Sequence, residues 1–130
     1  MNISTVEQNL FELIIKSNFL TELKGGSTKC EINIKQLKKI SEFIEKNSLL
    51  IRESILELKS PKIINLLMSV YIIWLEIKSF HNNKVDQFKI INYDKNKDII
   101  NENFEIFQRL SGAFEKYTLE ILYEELFVNI

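Results

Sequence analysis

The 18 residues from Ile63 to Phe80 contain no glycine or proline, and only Asn65, Ser69, Glu76, Lys78 and Ser79 interrupt their apolar character. A β-strand usually ends after about 5–6 residues, so a run of this length argues for a helix. Leu66, Leu67, Met68, Val70, Tyr71, Ile72, Ile73, Trp74, Leu75 and Ile77 would point to nearly every side of it. A helix that is apolar all round is normally the one that the others pack around. The sequence therefore predicts a central helix over about residues 61–80. Ser60-Pro61 sets its start, with serine as the cap and proline at the first position, where the missing N–H costs nothing. The uncharged stretch between Lys62 and Glu76 holds 13 residues, short of the ~20 that a bilayer requires, so no membrane span is expected.

The flanking segments carry helical periodicity. Ser4-Thr5-Val6-Glu7 has the form of a capping box, and Val6, Leu10, Leu13 and Leu20 follow at helical spacing until Lys24-Gly25-Gly26 stops the helix. A polar loop then carries Cys30. Asn33-Ile34-Lys35-Gln36 is a second box. Leu37, Ile40, Ile44, Ile51, Ile55 and Leu58 continue from it on one face, which predicts a single long amphipathic helix ending at Ser60-Pro61. His81-Asn82-Asn83 breaks the central pattern. Val85, Phe88 and Ile91 are compatible with a short helix, and Phe88-Lys89-Ile90 with a strand. After an Asp94–Lys97 loop, a last helix is predicted from Asp98 to about Val128, where Ile100, Phe107, Phe114, Ile121 and Val128 recur every seven residues with Leu110 and Tyr117 between them. With three glycines and one proline in 130 residues, the chain has little of the punctuation that sheets need. The expected fold is all-α: a single domain over residues 1–130, a four- or five-helix antiparallel bundle around the central apolar helix.

Acid–base and nucleophilic catalysis draw mainly on His, Cys or a carboxylate held near a base, and this chain has one His and one Cys. Nothing in the spacing brings Cys30 to His81. His81 suits the negative end of the central helix as a solvent-facing cation. Lys24-Gly25-Gly26-Ser27-Thr28-Lys29 lacks the spacing of a phosphate-binding loop and the strand that should precede it. Asp94, Asn96, Asp98, Glu102 and Glu105 match the ligand positions of a calcium loop, but Ile99 stands where the sharp turn needs glycine, which favours a polar loop capping a helix. No enzyme activity, metal, cofactor or small-molecule substrate is expected. A lone cysteine rules out an intramolecular disulfide and fits a reducing compartment. With no signal-peptide pattern at the N-terminus, the expected location is cytoplasmic.

The net charge of −1 gives no global attraction to nucleic acid. Lysine outnumbers arginine fifteen to two, a bias typical of an AT-rich genome, so individual surface lysines carry limited meaning. Lys35, Lys38, Lys39 and Lys46 are still notable. Three of them fall in the first turns of a helix, where the dipole disfavours cations by ~0.3–1 kcal/mol each, and an RNA backbone would justify the placement. Glu42 and Glu45 partly offset the cluster. Near the C-terminus, Glu115, Glu120, Glu124 and Glu125 are the candidate surface for a protein partner.

Gln36-Leu37-Lys38-Lys39-Ile40, opening a helix after a loop, resembles a short pattern in the small helical subunit of type III CRISPR effector complexes. Asn103-Phe104-Glu105-Ile106-Phe107-Gln108-Arg109-Leu110 is similar to the aromatic terminal helix of that family, and chain length and helix order also agree. The resemblance covers about twenty residues. Lys38 stands where the family often has arginine, and the slightly acidic net charge is unlike a subunit that lines RNA. The resemblance implies a non-catalytic subunit repeated along a guide–target duplex, with Lys38 and Lys39 touching phosphates. The expected function is thus a non-enzymatic interaction module whose partners are other protein subunits and RNA. The alternative is an immunity protein, antitoxin or phage-encoded inhibitor that binds a protein.

Overall fold

Asn2 starts the first helix, two residues ahead of the expected cap: its Oδ1 accepts the Thr5 N–H at 2.8 Å. Ile3 is drawn into the helix because its side chain packs on the core. The computed structural model describes residues 1–83, 87–110 and 112. Within them the chain is mostly helical, with six α-helices and two short strands, which fits the all-α class.

The predicted first helix is three pieces. Helix α1 (Ile3–Phe11) widens into a π-helical turn at Glu12–Lys16, and α2 (Phe19–Lys24) follows after Asn18. Asn18 adopts φ 65°, a left-handed conformation that asparagine tolerates better than most residues. The change of direction buries Phe19 and Leu23 alongside Val6, Leu10 and Ile14. Gly25 ends α2 at φ 57°, and a Cβ there would sit 2.5 Å from the Cys30 Cβ.

That close approach leads into β1 (Lys29–Cys30), which pairs in parallel with β2 (Lys89–Ile90), Lys29 facing Lys89 and Cys30 facing Ile90. Cys30 is therefore in a buried strand rather than a polar loop, and Phe88-Lys89-Ile90 resolves as strand. The Asn92 side chain extends the pairing: its amide donates to the Ile32 carbonyl at 2.8 Å and its Oδ1 accepts the Ile32 N–H at 3.0 Å.

Asn33 caps α3 (Ile34–Lys46) as predicted, accepting the Gln36 N–H at 3.0 Å. The Gln36 side chain does not complete the box; it reaches across to donate to the Leu13 carbonyl at 2.8 Å. The long helix predicted over 33–58 breaks at Asn47, whose φ is −116° and whose side chain bonds the Phe43 carbonyl, and α4 (Ser48–Leu56) follows. The apolar face survives the break, with Leu37, Ile40, Ile44, Ile51 and Ile55 all buried. Leu58 lies beyond the helix end at φ 53° and is 38% exposed rather than buried with the others.

Ser60 and Pro61 open α5 (Pro61–Asn83) as predicted. Ser60 Oγ accepts the Ile63 N–H at 3.2 Å and donates to Glu7 on α1 at 2.7 Å. The helix runs through His81-Asn82-Asn83, where an end was expected. At 23 residues it is long and apolar enough, by length and composition alone, to cross a bilayer, which the 13-residue count had not suggested. Its apolarity is nevertheless used one-sidedly. Ile63, Ile64, Leu67, Val70, Trp74 and Ile77 are buried against α1, α2, α4, β2 and α6 (Lys97–Gln108), while Ile72 and Leu75 on the other side are 51% and 47% exposed. Trp74 stacks on Phe104 of α6 at 4.0 Å between ring centroids and 6° between planes. Helix α6 also packs on α3 and buries Ile100, Phe104, Ile106 and Phe107. The later heptad positions Phe114, Tyr117, Ile121 and Val128 lie outside the described residues.

Replacing Trp74 by alanine empties a buried site and breaks the stack to α6, for an expected loss of about 3–5 kcal/mol of stability in urea unfolding. Gly25→Ala is expected to destabilise by more than ~1 kcal/mol, because alanine is strained at φ 57° and the new Cβ meets backbone and Cys30 at once; thermal unfolding followed by circular dichroism reads it.

Candidate functional site

The lysine cluster rests on α3, whose buried side carries Leu37, Ile40, Ser41 and Ile44. At 100° per residue Lys35, Lys39 and Lys46 lie on the opposite side and Lys38 at its edge, and all four are exposed. Glu42 is exposed on the same face, four residues from Lys38 and Lys46 and three from Lys39. Glu45 turns to Arg109 of the α6 end at 3.6 Å, and among the described residues no carboxylate lies within ion-pairing distance of any of the four lysines. Of the two acids on α3, only Glu42 remains to oppose them. Lys39 and Lys46 line a shallow groove of about 500 Å³ against α1 and the π-helical turn, shared with Asn9, Glu12, Gln36, Glu42 and Phe43. The structure thus brings the four predicted residues onto one solvent face with a recess beside it. Glu115, Glu120, Glu124 and Glu125 lie outside the described residues.

His81 differs from the solvent-facing cation expected of it. Its side chain is 10% exposed. Nδ1 accepts the Ile90 N–H of β2 at 2.9 Å, which leaves Nε2 as the ring nitrogen able to donate. That nitrogen faces Asp94 Oδ1 at 3.2 Å, and the bond from His81 holds the Asp94 carboxyl below the ordinary carboxylate range. The ring edge also meets Tyr93 at 5.1 Å between centroids.

Because Cys30 pairs with Ile90, the fold places the chain's one cysteine and one histidine on either side of one strand residue, a proximity that sequence spacing did not require. Their chemistry is not that of a nucleophile and its base. Burial pushes the Cys30 thiol up to about 11, which makes thiolate scarce at neutral pH. Both ring nitrogens of His81 are already engaged. The arrangement pins a strand to a helix end.

The calcium-like spacing is dismantled by the same segment. Asp94 is turned to His81, and the Asn96 side chain donates to the Asn92 carbonyl. Asp98, Glu102 and Glu105 ride a continuous helix over roughly 10 Å at 1.5 Å per residue, so they do not converge. Among the described residues no three His, Cys, Asp or Glu side chains come together as metal ligands would.

His81→Ala leaves the Ile90 N–H without its acceptor, and a buried donor so orphaned costs about 1–3 kcal/mol; urea unfolding is expected to show that loss, with amide exchange at Ile90 accelerated. Asp94 contributes in the opposite pH sense to a raised group. Its folded value lies below the unfolded one of about 3.9, so the stability it adds is present above that value and is lost as pH falls through the folded value. Asp94→Asn is therefore expected to flatten the acid limb of the stability profile. Comparison with protein-family models, with curated proteins and with solved structures gives no match to this chain.

Proposed function

We propose that the protein is a non-enzymatic interaction module with the architecture of an antiparallel helical bundle, acting in the cytoplasm as a structural subunit of a ribonucleoprotein assembly. In this reading it grips RNA backbone through Lys35, Lys38, Lys39 and Lys46 and packs against other protein subunits, as the resemblance to the small subunit of type III CRISPR complexes implies. The observation that supports it is the exposed lysine face of α3, left without ion-paired carboxylates among the described residues, with Lys35 in the first turn, where the helix dipole opposes it. Such a placement lowers local stability, and an anionic ligand offsets it. Phosphates spaced along a strand suit separate point charges better than a single pocketed anion would. The resemblance and the lysine face converge at Lys38 and Lys39, which lie in both.

Binding of a single-stranded RNA oligonucleotide, followed by fluorescence anisotropy across a salt series, is expected to weaken steeply as salt rises. Lys38→Ala with Lys39→Ala is expected to lower affinity by about tenfold and to reduce the salt slope by roughly one to two units. The same double variant should keep the parent's stability, because Lys38 and Lys39 are exposed and lie in the second turn of α3, beyond the main reach of the helix dipole. RNA affinity that is independent of salt or of these lysines overturns the reading.

A further inference from the structure

The outer side of α5 is where the sequence and the burial pattern part company. Ile72 and Leu75, one turn apart, stand half exposed. Beside them runs a groove of about 520 Å³, walled by Trp74, Leu75 and Lys78 of α5 and by Asp98, Glu102 and Glu105 of α6. The three acids are four and three residues apart, so they line one side of α6, and all are exposed. Among the described residues none is ion-paired. Among the described residues of the groove wall one cation stands against them, Lys78, whose Nζ lies 5.6 Å from the Trp74 ring centre.

An apolar strip bordered by carboxylates selects an occupant with aliphatic side chains on one face and cations along its edge. We infer that the α5–α6 groove is a docking site for a basic amphipathic segment of a protein partner, its aliphatic residues on Ile72 and Leu75 and its Lys or Arg side chains against Asp98, Glu102 and Glu105. Charge complementarity sets the choice of occupant. RNA has the wrong sign for this rim. The chain's own residues 113–130 carry Glu115, Glu120, Glu124 and Glu125 against Lys116, again the wrong sign. A second copy could offer the α3 lysine face, but that face includes Glu42 and presents no fully exposed apolar side chain. This surface is separate from the lysine face and does not depend on the RNA reading.

The test uses the full chain and two synthetic helical peptides of about four turns with the same leucine and alanine pattern, one bearing lysine and the other glutamate at its polar positions. Trp74, the single tryptophan, reports from the groove wall. The lysine peptide is expected to change Trp74 emission saturably, with affinity falling as salt rises, and the glutamate peptide to leave it unchanged. Glu102→Gln with Glu105→Gln is expected to weaken lysine-peptide binding about fivefold or more. Leu75→Ser, at a half-exposed position, is expected to weaken it as well. Lys38→Ala with Lys39→Ala should leave it unchanged, which separates this surface from the RNA face. Absence of saturable binding, equal binding of both peptides, indifference to the glutamine pair, or emission that changes with protein concentration alone through self-association would overturn the inference.

Discussion

The buried stripe of α5 is the surface on which four other helices and a strand close, and its two ends are tied down by polar contacts rather than by more apolar area. Ile63, Ile64, Leu67, Val70, Trp74 and Ile77 occupy the stripe, each stabilising by about 1.5–3 kcal/mol when fully withdrawn from water. Apolar contact has no direction, so six such side chains alone leave the helix free to slide or roll. At the N-terminal end Ser60 removes that freedom by binding the first turn of α5 and Glu7 of α1 at once. Near the C-terminal end His81 holds the Ile90 backbone. Between them the flat Trp74–Phe104 stack fixes how α6 lies across α5. The faces exposed on α3 and on α5 and α6 inherit their positions from these three points.

The same logic accounts for the small parallel strand pair in an otherwise helical chain. Two residues per strand offer few ladder bonds, and an isolated pair of this size is not stable in water. It persists because side chains supplement the ladder. Asn92 supplies a donor and an acceptor to Ile32, His81 takes the Ile90 N–H that points away from β1, and Gly25 lets the chain pass within contact distance of Cys30. The cysteine and histidine, the two side chains of highest chemical interest in the sequence, are both consumed by this joint.

What could be read from the sequence was what depends on near neighbours. Helical periodicity located the buried faces of α3 and α4, Asn33 and Ser60-Pro61 marked helix starts, and the lysine face followed from spacing alone. The misses share a cause. Gln36 abandons its local capping role for a carbonyl 23 residues earlier, and Asn92 meets Ile32 across 60 residues; no local pattern encodes such partners. The break at Asn47 keeps the apolar face in phase, so periodicity ran through it unchanged. The π-helical turn left the spacing of Val6, Leu10 and Leu13 looking like one helix. For α5, an all-round apolar sequence suggested all-round burial, whereas one flank faces solvent. Of the candidate sites, the lysines were legible because exposure on a helix follows its period. The α5–α6 groove was not, because it needs two helices 20 to 30 residues apart to meet.

A net charge of −1 argued against any strong preference for a charged partner, but the sum conceals a division. Helix α3 presents four lysines against one unengaged glutamate, and α6, which packs on α3, presents three unpaired acids on a side that borders α5. At physiological ionic strength fields between exposed charges fade over about 8 Å, so a ligand at one face experiences little of the other. A partner samples the local face rather than the total. The packing of α3 on α6 keeps the lysines and the carboxylates on different helices, so each face presents a local field of its own sign.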